Sequence, residues 1–162
     1  VIDAGLSPES HDARTANVVA AITPPTPTEP FDIIILEAKA TKSLPHDVLK
    51  ESYATYQRWE PLCAAIETFG GHEAFFYWIA ATFPDMRIRK LGKDFSRNAK
   101  HKRIIGFWGS YPAQGRVYIH RTLHMDLVDE LISYPNGKTV DLLDAAGYLP
   151  TIWAPPNPIP GD

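Results

Sequence analysis

The stretch Phe31-Asp-Ile-Ile-Ile-Leu-Glu-Ala-Lys-Ala-Thr-Lys-Ser-Leu-Pro45-His-Asp-Val-Leu-Lys-Glu-Ser-Tyr-Ala-Thr-Tyr-Gln-Arg-Trp59 changes its hydrophobic period midway. Residues 31–38 form a nearly continuous apolar run of strand length, which predicts a strand at the centre of a sheet. From Pro45 onward, Val48, Leu49, Tyr53, Tyr56 and Trp59 recur at helical spacing behind a proline well suited to a helix start. Upstream, Val-Ile-Asp3 reads as the end of a strand, residues 5–8 as a turn, and the β-branched run 15–22 as a second strand. Pro24, Pro25, Pro27 and Pro30 force a loop before the third. Downstream, strands are predicted at 62–67, 86–91 and 116–119, and helices at 72–83, 99–107, 125–132 and around Asp141. Strands that first cluster as an antiparallel meander and then alternate with helices predict an α/β fold, a mixed sheet flanked by helices on both faces.

The chain has 162 residues, enough for one domain with a real core, and 44% hydrophobic with 22% charged residues is the balance of a globular protein. Residues 1–150 read as that domain. Residues 151–162, with Pro155, Pro156, Pro158 and Pro160, read as a tail too proline-rich for a regular element. No apolar run reaches the roughly 20 residues that a membrane-spanning helix needs, so no membrane partner is expected. The single cysteine, Cys63, excludes an internal disulfide, fits a reducing compartment and sits in an apolar run as a core residue. An opening in mid-strand without an initiator methionine reads as a fragment of a longer protein.

The formal charge is -3, yet eight of the sixteen Lys and Arg residues lie between Arg87 and Arg103, against one acid, Asp94. A basic segment beside an acidic cluster suits a nuclease, in which one attracts phosphate and the other holds metal. The acids stand out by context. Asp3 and Glu67 each end a predicted strand, and Asp141 and Asp144 lie a turn apart on a helix predicted to start at Asn136 or Thr139. Asp144 sits among Leu142, Leu143, Ala145 and Leu149, where a buried carboxylate costs several kcal/mol unless a cation or donor meets it. In a mixed sheet where the strands ending at Asp3 and Glu67 are neighbours, their ends lie about 5 Å apart, and a helix packed across that edge can bring a third carboxylate to the same point. Carboxylates about 4 Å apart repel by roughly 4 kcal/mol per pair at an effective dielectric near 20, so convergence of Asp3, Glu67 and Asp144 requires cations. Oxygen ligands select hard ions, Mg²⁺ or Mn²⁺. Two of them can activate water and stabilise the leaving oxygen of a phosphodiester.

Several segments, in order, carry a family likeness: Val-Ile-Asp3-Ala-Gly with Asp12-Ala-Arg-Thr-Ala-Asn-Val-Val, Ala65-Ile-Glu67-Thr-Phe-Gly-Gly, Lys102-Arg103-Ile, Gln114-Gly-Arg-Val-Tyr-Ile, and Asp141-Leu-Leu-Asp144-Ala-Ala-Gly-Tyr. The set resembles the C-terminal nuclease domain of the large terminase subunit of tailed bacteriophages, of the ribonuclease H-like group. That resemblance implies a divalent-metal-dependent endodeoxyribonuclease that cuts concatemeric viral DNA during genome packaging, in the cytoplasm of the infected host cell. Asp3, Glu67 and Asp144 would be catalytic acids and, with Asp141 as accessory, ligands to two Mg²⁺ or Mn²⁺ ions. It further implies double-stranded DNA, an N-terminal ATPase domain, the small terminase subunit and the portal as partners, the isolated domain being a monomer. Family members often carry a His or an Asp-Asp pair before the last helix position, where this chain has Lys138-Thr139-Val140.

Lys93, Arg97, Lys100, Lys102 and Arg103 are expected to contact the DNA backbone without regard to sequence. Asn136-Gly137-Lys138-Thr139 lacks the upstream glycine of a phosphate-binding loop. His120, His124 and Asp126 have a spacing open to zinc, but His120 ends a predicted strand. His72 reads as a surface or capping residue, Trp108 and Tyr111 as possible DNA contacts, and the aromatics Trp59, Phe69, Phe75, Phe76, Tyr77, Trp78 and Phe83 as core. Two alternatives share the fold: a resolvase or integrase core, and a catalytically silent DNA- or protein-docking module.

Overall fold

A computed structural model describes residues 1–3, 14–25, 31–68, 73–91, 97–120 and 122–152, apart from the side chains of Asp3, Arg97 and Asn98. The strands are β1 (Ile2–Asp3), β2 (Thr15–Ile22), β3 (Ile33–Thr41), β4 (Ala64–Glu67), β5 (Ile88–Leu91) and β6 (Val117–Ile119). The helices are α1 (Pro45–Trp59), α2 (Glu73–Thr82), α3 (Arg97–Trp108), α4 (Met125–Ser133), α5 (Asp141–Gly147) and α6 (Leu149–Ile152). Among the described residues the strands form one sheet in the order β5-β4-β1-β2-β3-β6. β2 pairs antiparallel with both β1 and β3, whereas β1/β4, β4/β5 and β3/β6 are parallel. Parallel neighbours need long crossovers, and α1 and α2 supply those into β4 and β5. The protein is therefore α/β with a mixed sheet.

Two hydrophobic clusters show that helices cover both faces. Ala16, Val18, Ile33 and Ile35 of β2 and β3 pack with Ile104, Phe107 and Trp108 of α3, Leu127 of α4 and Leu142, Leu143, Ala145 and Ala146 of α5. On the other face, Ile2, Ala64 and Ile66 pack with Val48 and Leu49 of α1 and Phe75 and Ile79 of α2. The register explains the split: Ile2 pairs with Asn17, so it lies across the sheet from Ala16 and Val18.

The third strand departs from its expectation. It runs to Thr41 and stands one place from the edge, with β1 and β2 at the centre of the sheet. Ile33 and Ile35 are buried but Ile34 is exposed, so only one of its faces is fully covered and the apolar run overstated its depth. The last long helix begins at Asp141, not at Asn136 or Thr139: Val140 is its N-cap residue and makes no side-chain cap. The predicted tail boundary is crossed by α6, and residues 153–162 lie outside the described residues. No helix among the described residues is long and apolar enough to cross a membrane.

Helices α3 and α5 cross closely at Gly147, where an added Cβ would lie 2.9 Å from Arg103 Cγ. Helix propensity alone favours Gly147→Ala by up to about 1 kcal/mol. The crossing reverses the sign, so the variant is expected to lose about 1–3 kcal/mol in urea denaturation. A variant as stable as the parent would show that the two helices do not need this approach.

Candidate functional site

The site begins with the sheet. β1 and β4 are parallel neighbours with Ile2 opposite Ile66, and the next residue of each, Asp3 and Glu67, ends its strand at the same rim. The backbone of Asp3 also pairs with Ala16, whose side chain is buried against α5. α5 packs over β1, β2 and β3, bringing Asp141 and Asp144 to that face.

Asp144 is 2% exposed and is met by the cations its burial demands. Arg103 donates to Oδ1 through Nε at 2.8 Å and through Nη2, and Lys100 Nζ lies 3.3 Å from Oδ2. Burial pushes the Asp144 carboxyl above its ordinary value of 3.8, against the opposing pull of Lys100 and Arg103. Asp141, half-buried, is 3.7 Å from the Lys100 ammonium through Oδ1 and accepts from Arg14 Nε at 3.2 Å through Oδ2. Arg14 also donates to Glu130, whose second oxygen accepts the Leu142 and Leu143 N–H groups at 2.9 and 3.2 Å. Glu130 thus supplies the cap that Val140 lacks, and Trp108 Nε1 donating to the Leu143 carbonyl at 3.0 Å ties α5 to α3.

Tyr148 links this network to the sheet. Its ring lies beneath the Arg103 guanidinium, 3.9 Å from the ring centre. Its hydroxyl is pushed far above the ordinary tyrosine range by burial and by the negative charge of Glu67, with Asp144 adding to the same effect. Glu67 and Asp144 therefore lie within electrostatic reach of one buried phenol.

Several expectations change here. Lys100 and Arg103, expected to contact DNA, are engaged with Asp141 and Asp144, because a carboxylate buried among leucines draws the nearest cations. Lys102 on the same helix is exposed; Arg97 stands in the first turn of α3, and Lys93 lies outside the described residues. Trp108 is buried, and half-buried Tyr111 packs on Phe107 and Phe31, so neither forms an exposed base platform. His124 turns inward with Nε2 3.2 Å from the Ile35 carbonyl, whereas His120 is exposed beside Thr122. Of the aromatics read as core, Phe75 is buried but Tyr77 is 57% exposed; Phe69 and His72 lie outside the described residues. Glu130, Arg14 and Tyr148 received no role from the sequence. Glu130 had a signal: it follows Leu127 by three on an amphipathic helix, which places a carboxylate on the apolar face.

Among the described residues no three His, Cys, Asp or Glu side chains group as metal ligands, and the side chain of Asp3 is outside that set. The donor chemistry suits a hard divalent ion: Asp141 and Asp144 each turn a carboxylate oxygen toward one cation, and that cation is the Lys100 ammonium. An apolar cavity of about 500 Å³ is lined among others by Ala20, Leu36, Trp59, Leu62 and Cys63, and among the described side chains no candidate carboxylate lines it. In comparisons with known proteins, no family model and no curated sequence matches this chain.

Proposed function

We propose that this chain is a divalent-metal-dependent DNA endonuclease domain of ribonuclease H-like architecture, with Asp3, Glu67 and Asp144 as its metal-binding acids and Asp141 as an accessory. The single observation that carries this reading is the shared rim: parallel β1 and β4 end side by side at Asp3 and Glu67, and the helix bearing Asp144 packs across β1. The antiparallel start followed by parallel additions through helical crossovers is the element order of that architecture, and the ordered likeness to terminase nuclease domains supplies the substrate class, concatemeric double-stranded DNA. Mg²⁺ or Mn²⁺ bound by these carboxylates supplies a water nucleophile and charge stabilisation for phosphodiester hydrolysis. The chain's own residues orient the acids. Glu130 and Arg14 fix the start of α5, Arg103 holds Asp144 by one oxygen, and the Tyr148 ring supports the Arg103 guanidinium. Exposed Lys102 is a phosphate contact.

The test is cleavage of supercoiled plasmid: nicked and linear products with Mn²⁺ or Mg²⁺ and none with chelator support the reading, and intact plasmid under all conditions overturns it. Because the metal-binding form of Asp144 is the carboxylate, Mn²⁺ affinity is expected to fall as pH drops through a midpoint above 3.8. Isothermal titration between pH 4 and 7 measures this; affinity flat over that window contradicts the involvement of Asp144.

One observation favours a second reading. Asp141 and Asp144 are already neutralised by Arg14, Lys100 and Arg103, as in a catalytically silent docking module held together by a charge network. Failure of Mn²⁺ to bind at millimolar concentration decides for that module.

A further inference from the structure

We propose that Lys100 is a built-in counter-cation of this site: its ammonium bridges Asp141 and Asp144 while no divalent ion is bound, and it yields those oxygens when one enters. The inference rests on the metal-centre reading and adds a regulatory step to it.

The geometry separates Lys100 from the other two cations. Arg103 is anchored, with its side chain 8% exposed, two donors on Asp144 Oδ1 and its guanidinium stacked on Tyr148. Arg14 is held at both ends of a fork, by Glu130 and by Asp141 Oδ2. Lys100 reaches the remaining oxygens, Asp144 Oδ2 and Asp141 Oδ1, from a side chain 34% exposed at the start of α3. A flexible ammonium near solvent can withdraw and rehydrate, whereas a stacked, forked guanidinium cannot without breaking packing.

Charge balance gives the direction. Glu130, Asp141 and Asp144 carry three negative charges, and Arg14, Lys100 and Arg103 carry three positive ones. A divalent ion entering this cluster, to which the metal-centre reading adds Asp3 and Glu67, meets repulsion from Lys100 at short range. Departure of Lys100 cancels half of the added charge and opens two oxygens of the kind that Mg²⁺ and Mn²⁺ prefer.

The test is isothermal titration of the whole chain with MnCl₂ alone, at fixed ionic strength, comparing the parent with Lys100→Met, which keeps the apolar stem and removes the charge. Mn²⁺ is expected to bind the variant about tenfold or more tightly. Parent binding with equal or weaker binding by Lys100→Met overturns the counter-cation role and leaves the metal-centre reading intact. Binding by neither protein overturns both. A measurement on the unaltered protein covers a variant that does not fold. Acylation of Lys100 by an amine-reactive anhydride, followed by mass spectrometry, is expected to rise on adding Mg²⁺ as the ammonium leaves its carboxylates. An unchanged or reduced modification rate contradicts the release.

Discussion

Asp3→Asn and Glu67→Gln are each expected to reduce Mn²⁺-dependent cleavage of supercoiled plasmid by on the order of 10³-fold or more, because in the proposed metal centre each would remove a charged ligand that contributes several kcal/mol of transition-state stabilisation. Glu67 is half-buried and Asp3 ends a two-residue strand, so neither replacement empties the core. Near-unchanged circular dichroism should accompany the loss. Asp144 behaves differently. Its carboxylate is the partner of a buried guanidinium, so Asp144→Asn is expected to lose both activity and stability. Activity lost only in Asp144→Asn, with Asp3→Asn and Glu67→Gln fully active, would identify a damaged fold and contradict a shared metal centre.

Arg103→Met is expected to be the most destabilising single replacement at the site, by about 3–5 kcal/mol at neutral pH, because it leaves buried Asp144 with only the part-exposed Lys100 ammonium as counter-charge. Linkage gives this loss a sign with pH. The folded-state pKa of Asp144 already lies above 3.8 through burial, and removal of Arg103 takes away an opposing influence, so it rises further. A raised carboxyl pKa contributes stability that is fully present below the unfolded value and lost as pH rises through the folded one. The deficit of Arg103→Met should therefore be small at pH 3.5 and grow toward neutrality in urea melts. A pH-independent deficit would assign the effect to lost packing on Tyr148 instead of charge.

Much of the fold was legible in the chain. The switch from strand run to helical period at Pro45 marks where α1 starts, and the early meander and later alternation correspond to the observed order. β1 and β4, read as possible neighbours, pair in parallel. What could not be read was depth and partnership. An apolar run cannot reveal that β3 has one thinly covered face, since that depends on which helices return over it. Likewise, Asp144 showed itself as a buried acid, but its clasp comes from Arg103, forty-one residues away, and from Lys100. A basic segment looks the same in sequence whether its cations face DNA or turn inward. The missing cap of α5 shows the same limit: Glu130 reaches Leu142 and Leu143 across a turn that local cap rules do not span.

Whether the candidate acids share a metal centre is decided by a crystal structure of the chain soaked with MnCl₂, with anomalous scattering used to locate the metal. Mn²⁺ peaks are expected within coordination distance of carboxylate oxygens from Asp3, Glu67 and Asp144, with the Lys100 ammonium displaced from Asp144. Mn²⁺ absent from that rim, with Lys100 and Arg103 still closed on Asp144 at saturating metal, would contradict a shared centre.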